Sequence, residues 1–190
     1  ETSGRRTALI AAAMYGKLDA IAGLVTCGAV VDRVSGDGKT ALMFAVEVGR
    51  SDAIAALVRR GAELDKEIEG GVTPLIHAAR VQEVDAVIAL AQRGATVDYE
   101  TSKEGFTAPM HASRLGKESM IPVLVDAGAL VNRESVNHRT ALMEAISAGE
   151  LQTIARLTAC GADLGHTNAV GQTALDVAIA SGQDWAVWEL

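Results

Sequence analysis

The sequence predicts an all-α fold made of repeating helix–turn–helix units that stack into a solenoid. One observation is a Thr that recurs at a constant spacing, with a single extra position between the third and fourth copies, at Thr7, Thr40, Thr73, Thr107, Thr140 and Thr173. A second is a Gly-Ala pair at one fixed distance after each of the first five Thr residues, and a third is a Leu at another fixed distance after every Thr. Such a period indicates units that bury their apolar faces only against their neighbours.

Each unit is predicted to begin with a short helix at the recurring Thr. A Thr hydroxyl at the N-cap accepts a hydrogen bond from an amide of the first turn, and Pro74 suits the next position, which needs no amide. A Gly stands nine residues after five of the six Thr residues and suits the left-handed conformation that ends a helix. Gln82 takes that place in the third repeat.

A second helix is predicted to follow, with apolar residues at fixed places such as Ile21 and Leu24, and to end at the Gly-Ala pair. The rest of each unit is polar, contains Gly and lacks a period, as in an exposed turn. The extra residue of the long repeat must lie between Gly94 and Thr107. Pro122 falls inside the predicted second helix of repeat four, where it would cost about 3 kcal/mol unless a kink absorbs it.

The segment Thr73-Pro74-Leu75, the Gly nine residues after the Thr, and the Gly-Ala-x-x-Asp or Asn segments resemble the ankyrin repeat. The resemblance implies β-hairpin-type loops and a partner held by the hairpin tips and the concave face of the first helices. We expect a single array over residues 1–190, part of a longer protein or covered by a partner at one end. Its repeats are 3–35, 36–68, 69–102, 103–135, 136–168 and a truncated 169–190.

Composition excludes several classes of function. The 24 acidic and 17 basic side chains give a net charge of −7, which disfavours general attraction to nucleic acid or an anionic membrane. No run reaches the roughly 18 apolar residues of a membrane span. Two cysteines in 190 residues indicate a reducing, intracellular compartment, and we expect the cytoplasm.

Candidate partner contacts come from the first helices and the hairpin tips. His77, Arg80, His111 and Arg114 repeat one register in repeats three and four and predict a positive patch for an acidic or phosphorylated peptide. The alternative is that these charges only solvate the inner helix surface. Repeats three and four are also the least regular, through either function or drift. The remaining candidate contacts are Tyr15, Phe44, Glu47, Ile68, Tyr99, Phe106, Arg139 and Glu144.

These observations favour a non-catalytic protein-interaction scaffold. A regulatory or targeting segment of a larger enzyme or channel is the alternative, and nucleotide or nucleic-acid binding by Arg80 and Arg114 is a weaker one. We expect no cofactor and no metal, because His77 and Glu144 lie two layers, or roughly 20 Å, apart in the predicted stack. No nucleophile has an ordered base partner in this repeat pattern, so no catalytic residue is expected.

Overall fold

The computed structural model describes residues 6–183, and in these residues it confirms the all-α repeat fold. The chain divides into two compact units, with the boundary between Thr96 and Val97. Leu190, the last Leu of the repeat pattern, lies outside the described residues. The first unit contains α1 (Ala8–Met14), α2 (Leu18–Thr26), α3 (Ala41–Glu47), α4 (Ser51–Arg59), α5 (Pro74–Val81) and α6 (Val84–Ala91); the second contains α7 (Ala108–Arg114), α8 (Met120–Asp126), α9 (Ala141–Ala148), α10 (Leu151–Ala159) and α11 (Ala174–Ala180).

Within each unit the helices form an inner and an outer row. In the first unit α1 packs on α3 and α3 on α5, while α2 packs on α4 and α4 on α6. In the second unit α9 packs between α7 and α11, and α8 packs on α10. The small Ala five residues after each Thr is buried in every described repeat and lets these helices approach closely. Fully buried Leu side chains fill the space between layers, at Leu57, Leu90, Leu124 and Leu157.

The recurring Thr is the N-cap of all six inner helices, as the sequence predicted. Five of the six hydroxyls accept a bond from the backbone amide three residues on, and Thr107 is the exception. Thr173 goes further, because the Asp176 carboxylate also accepts from the backbone amide of Thr173 and completes a capping box.

Gln82 ends α5 in the left-handed conformation, with φ of 62° and ψ of 34°. The equivalent Gly16, Gly49, Gly116, Gly149 and Gly182 all have φ between 62° and 76°. The local structure is therefore preserved although the residue is not Gly. A side chain with a Cβ in this region costs roughly 1–2 kcal/mol.

Replacing Gln82 with Gly is therefore expected to raise the free energy of unfolding by up to about 1 kcal/mol, because relief of strain outweighs the added chain entropy of Gly. The urea midpoint measured by circular dichroism checks this. Gly16→Ala is the matched control: its Cβ would meet nothing closer than 3.7 Å, so its expected loss of about 1 kcal/mol reports backbone strain alone. A midpoint for Gln82→Gly below that of the wild type would contradict the strain argument.

The loops between repeats are short turns rather than extended hairpins. In each of them a backbone hydrogen bond runs across the base of the loop, from the amides of Ser35, Ile68, Thr101, Ser135 and Asn168 to the carbonyls of Lys39, Val72, Phe106, Arg139 and Gln172. Among the described residues only Ile68 and Val72 form a β-bridge, and no strand is present. The turn from Thr101 to Phe106 is one residue longer than the others, so it contains the extra residue predicted between Gly94 and Thr107.

A second set of bonds ties each loop to the next repeat. The carboxylate of Asp32 accepts from the amide of Glu63, that of Asp65 from Thr96, and that of Asp98 from Leu130. The side-chain oxygen of Asn132 accepts from the amide of Asp163 at 2.8 Å. Burial raises the pKa of Asp32 and Asp98, and the backbone amides bound to these carboxylates act in the opposite direction. The sequence pattern Gly-Ala-x-x-Asp or Asn is therefore a stacking device.

Pro122 does not interrupt a helix, because α8 begins late. The outer helices of repeats one, two, three and five begin two residues after the left-handed residue, whereas α8 begins four residues after it, at Met120. Pro122 is therefore the third helical residue, where an amide would have no partner within the helix. The amide of Met120 instead bonds to the Lys117 carbonyl in a tighter turn. The expected kink is thus replaced by a shifted start.

Candidate partner-binding surface

Five of the predicted contacts lie in packed surroundings instead of on the exposed surface. Phe44, His77, Phe106, His111 and Glu144 are between 2% and 8% exposed. Their burial is the difference from the exposed positions that the sequence predicted, and as partner contacts they stay predictions. The group that buries each side chain differs, and for four of the five it is a neighbouring charged or aromatic side chain.

Phe44 is covered by two cations of its own unit. The Arg6 guanidinium lies 5.1 Å from the centre of the Phe44 ring, and the Lys39 ammonium lies 5.6 Å from it. Lys39 also contacts the Glu47 carboxylate at 2.9 Å. The two cations therefore lie over the face of the Phe44 ring. Glu47, 37% exposed, remains at the surface.

Phe106 and His111 cover each other in the second unit. Their rings meet edge to face with centres 5.6 Å apart, and the Arg114 guanidinium lies over the Phe106 ring at 5.2 Å. The same guanidinium contacts the Glu104 carboxylate at 3.4 Å. Arg114 is 45% exposed but already has an anionic neighbour, which weakens its attraction for an acidic peptide or for nucleic acid.

Arg139 and Glu144 form the most buried ion pair of the described residues. Nε of Arg139 lies 2.7 Å from the Glu144 carboxylate, and the guanidinium also donates to the Met143 carbonyl at 3.0 Å and to the Ser147 hydroxyl. The Arg139 side chain is 25% exposed and that of Glu144 only 6%. This arrangement indicates a stabilising role for the pair.

His77 is a neutral, buried group on α5. Burial lowers the pKa of His77, and the positive charges of Lys39 and Arg80 lower it further against the opposing charge of Glu47. Nε2 of His77 has no hydrogen-bond partner among the described residues. Arg80, one turn along the helix, is exposed and forms no ion pair in the described part of the chain. Of the arginines predicted for the positive patch, Arg80 is thus the one left available to a ligand.

One set of exposed apolar residues lies at the ends of four inner helices, one position after that of Arg80. Eight residues after the Thr stand Tyr15, Val48 and Val81 in the first unit, which are 71%, 40% and 37% exposed, and Leu115 in the second, which is 43% exposed. We call the first three the apolar row. Of these three, only Tyr15 was predicted as a contact from the sequence. The signal that would have found the others is a large apolar residue directly before the left-handed position at the helix end.

The hairpin tips offer smaller contacts. Ile68 and Tyr99 are partly buried, and Val136, at the tip of repeat five, is 68% exposed.

In the same loop as Val136, Glu134 links two repeats. Its carboxylate accepts from the Ala169 amide at 3.1 Å and contacts the ring of His166 at 2.9 Å. These two groups hold the pKa of Glu134 below its ordinary value, the amide more strongly than the His. This link is therefore present when Glu134 is ionised and is lost as pH falls through the lowered pKa.

Three further properties of residues 6–183 concern metal ligation, thiol chemistry and membrane spans. No group of three or more His, Cys, Asp or Glu side chains there could hold a metal ion. Cys27 and Cys160 are both free thiols. None of the helices in this range is long and apolar enough to cross a membrane.

Comparison with known proteins agrees with the geometry of the first unit. Residues 1–68 match the family model of ankyrin repeats (3 copies). A search of curated proteins found no match to the chain. The matched segment contains α1 to α4, and the same inner and outer helices recur beyond it up to Ala180.

Proposed function

Because residues 1–68 match ankyrin repeats and the same helix pairs recur up to Ala180, we propose that this chain is a non-catalytic scaffold that binds a protein partner along the apolar row and the neighbouring Arg80. Ankyrin repeats are generally protein-interaction modules. The single observation that carries the finer proposal is the exposure of Tyr15, Val48 and Val81 at one position of three stacked repeats. Exposed apolar groups in a regular line are what a partner segment can cover.

The charges beside this row indicate the kind of segment that fits. Arg80 directly precedes Val81, and Glu47 directly precedes Val48, so each of these two apolar residues has a charged neighbour in the chain. Glu47 already pairs with Lys39, which leaves Arg80 as the charge to be matched by the partner. A peptide with apolar side chains and an acidic residue near Arg80 would satisfy both features. Ile68 and Tyr99 stay predicted as further contacts.

The test is selection of binders from a display library of short random peptides on the immobilised protein, followed by fluorescence anisotropy with an enriched peptide. The double variant Val48→Ser/Val81→Ser is expected to weaken binding at least about tenfold, and Arg80→Glu to do the same for acidic peptides, with helical circular dichroism unchanged. Ile88→Ser is the matched control, since Ile88 on the outer helix α6 is 41% exposed, close to the value for Val48.

The opposite pattern counts against the proposal. If the enriched peptides bind the double variant as tightly as the wild type, while Ile88→Ser weakens them, the partner surface lies on the outer helices. Affinities that fall together in all three variants would indicate a general loss of folding instead of a local contact, and would equally contradict the assignment.

A further inference from the structure

The loop of the first repeat forms a cleft of about 500 Å³ outside the apolar row. It is lined by Arg6, Thr7, Arg33, Val34, Ser35 and Gly36. We call it the repeat-one cleft. Its two guanidinium groups make it a positively charged site on a chain whose net charge is −7.

The charges in this cleft are not balanced by the described part of the protein. Arg6 contacts Asp37 only at 3.8 Å, and both side chains are about half exposed. Arg33 is exposed, and its side chain has no ion pair or hydrogen bond among the described residues. Arg6 and Arg33 therefore have one carboxylate contact between them in the described residues, and the positive charge of the cleft is only partly neutralised.

The second unit shows what a guanidinium at this repeat position binds. Arg133 stands seven residues before Thr140, as Arg33 stands seven residues before Thr40. Arg133 pairs at 2.8 Å with the carboxylate of Glu100, which holds the same position in the preceding repeat. The position that would precede Arg33 in this series falls before residue 1, and the position that follows it holds a cation, Lys66, which pairs with Glu63 at 3.5 Å and offers Arg33 no carboxylate.

Arg6 is also held ready for a ligand. Its guanidinium rests over the Phe44 ring at 5.1 Å, which limits its freedom and reduces the entropy lost on binding. Val34, 46% exposed, lies at the edge of the cleft and offers an apolar contact beside the charged site. A guanidinium binds an acidic oxyanion through paired hydrogen bonds.

We propose that the repeat-one cleft binds an acidic group of the partner in the way that Arg133 holds the Glu100 carboxylate. This inference rests on the proposed function and specifies one feature of the partner: an acidic residue next to an apolar one. A carboxylate and a phosphate share the chemistry required.

The test is a titration of the isotope-labelled full chain with blocked single amino acids, followed by the amide NMR signals of Ser35 and Gly36 at constant ionic strength. N-acetyl-aspartate amide is expected to shift these signals with a millimolar dissociation constant, and N-acetyl-asparagine amide is not. Blocked phosphoserine is the second arm, and tighter binding than blocked aspartate would assign the site to a phosphate.

Two variants show whether the cleft itself holds the probe. In Arg33→Gln the affinity for blocked aspartate is expected to fall at least about tenfold, because one of the two guanidinium groups is lost. Arg59→Gln, which removes an exposed cation in the last turn of α4, is the matched control and is expected to leave that affinity unchanged.

Equal shifts with the asparagine and aspartate probes, or an affinity unaffected by Arg33→Gln, would overturn the inference. These outcomes are separate from a failure of the proposed function. If the cleft fails alone, peptides still bind at the apolar row in the Arg33→Gln variant. If the function fails alone, blocked aspartate still binds although no peptide does.

Discussion

Ala55→Pro is expected to lower the free energy of unfolding by at least about 3 kcal/mol, whereas Pro122→Ala changes it by less than about 1 kcal/mol. Ala55 and Pro122 hold the same position of their repeats, two residues before the recurring Leu. Ala55 is the fifth residue of α4, is 6% exposed, and has an amide bonded within the helix. Pro there removes this bond and places its ring against the Ser51 carbonyl, while Pro122 sits in the first turn of α8 and displaces no helical bond.

Urea unfolding followed by circular dichroism measures both changes, with the slope compared between variants because a repeat protein can unfold in parts. Ala55→Gly is the matched control: it weakens the helix by about 1 kcal/mol without a ring or a lost amide. A gain of about 3 kcal/mol in Pro122→Ala would show that Pro122 does interrupt a helix, as the sequence alone suggested.

The variant Arg139→Ala is expected to lose about 2–3 kcal/mol of unfolding free energy. It leaves the Glu144 carboxylate, 6% exposed, without its ion-pair partner. Removal of one member of a fully buried pair costs about 3–5 kcal/mol, and the partial exposure of Arg139 reduces that figure. The bonds of Arg139 to the Met143 carbonyl and the Ser147 hydroxyl are lost in the same step.

Lys39→Ala is the matched control for this experiment. Lys39 also precedes its N-cap Thr and pairs with a carboxylate at 2.9 Å, but Glu47 is 37% exposed, so we expect a loss of under about 1 kcal/mol. Glu144→Gln added to Arg139→Ala is expected to recover part of the loss, because no buried charge remains. Equal losses for Arg139→Ala and Lys39→Ala in urea unfolding would mean that burial of Glu144 carries no penalty.

Sequence reasoning failed where a long charged side chain reaches over a residue of an inner helix. Phe44 and Glu144 were expected at the surface because their repeat position falls on the inner helices, yet both are buried. Arg6 and Lys39 cover Phe44, and Arg139 covers Glu144. A repeat pattern gives the face of a helix but not the length and direction of the side chains that reach over it.

The sequence by itself determined the period, the six inner-helix starts, the left-handed helix ends and the loop that takes the extra residue. These features depend on interactions within a few residues, such as a Thr hydroxyl with a nearby amide or the backbone freedom of Gly, and so they can be identified from short motifs. Only the tertiary structure decided which inner-helix side chains are exposed, which cations are neutralised, and that Arg33 has no carboxylate partner among the described residues. Those properties depend on the direction in which long side chains extend, either over their own repeat, as Arg139 does to Glu144, or to a neighbouring repeat, as Arg6 does to Phe44, and that direction is set only when the helices and loops pack.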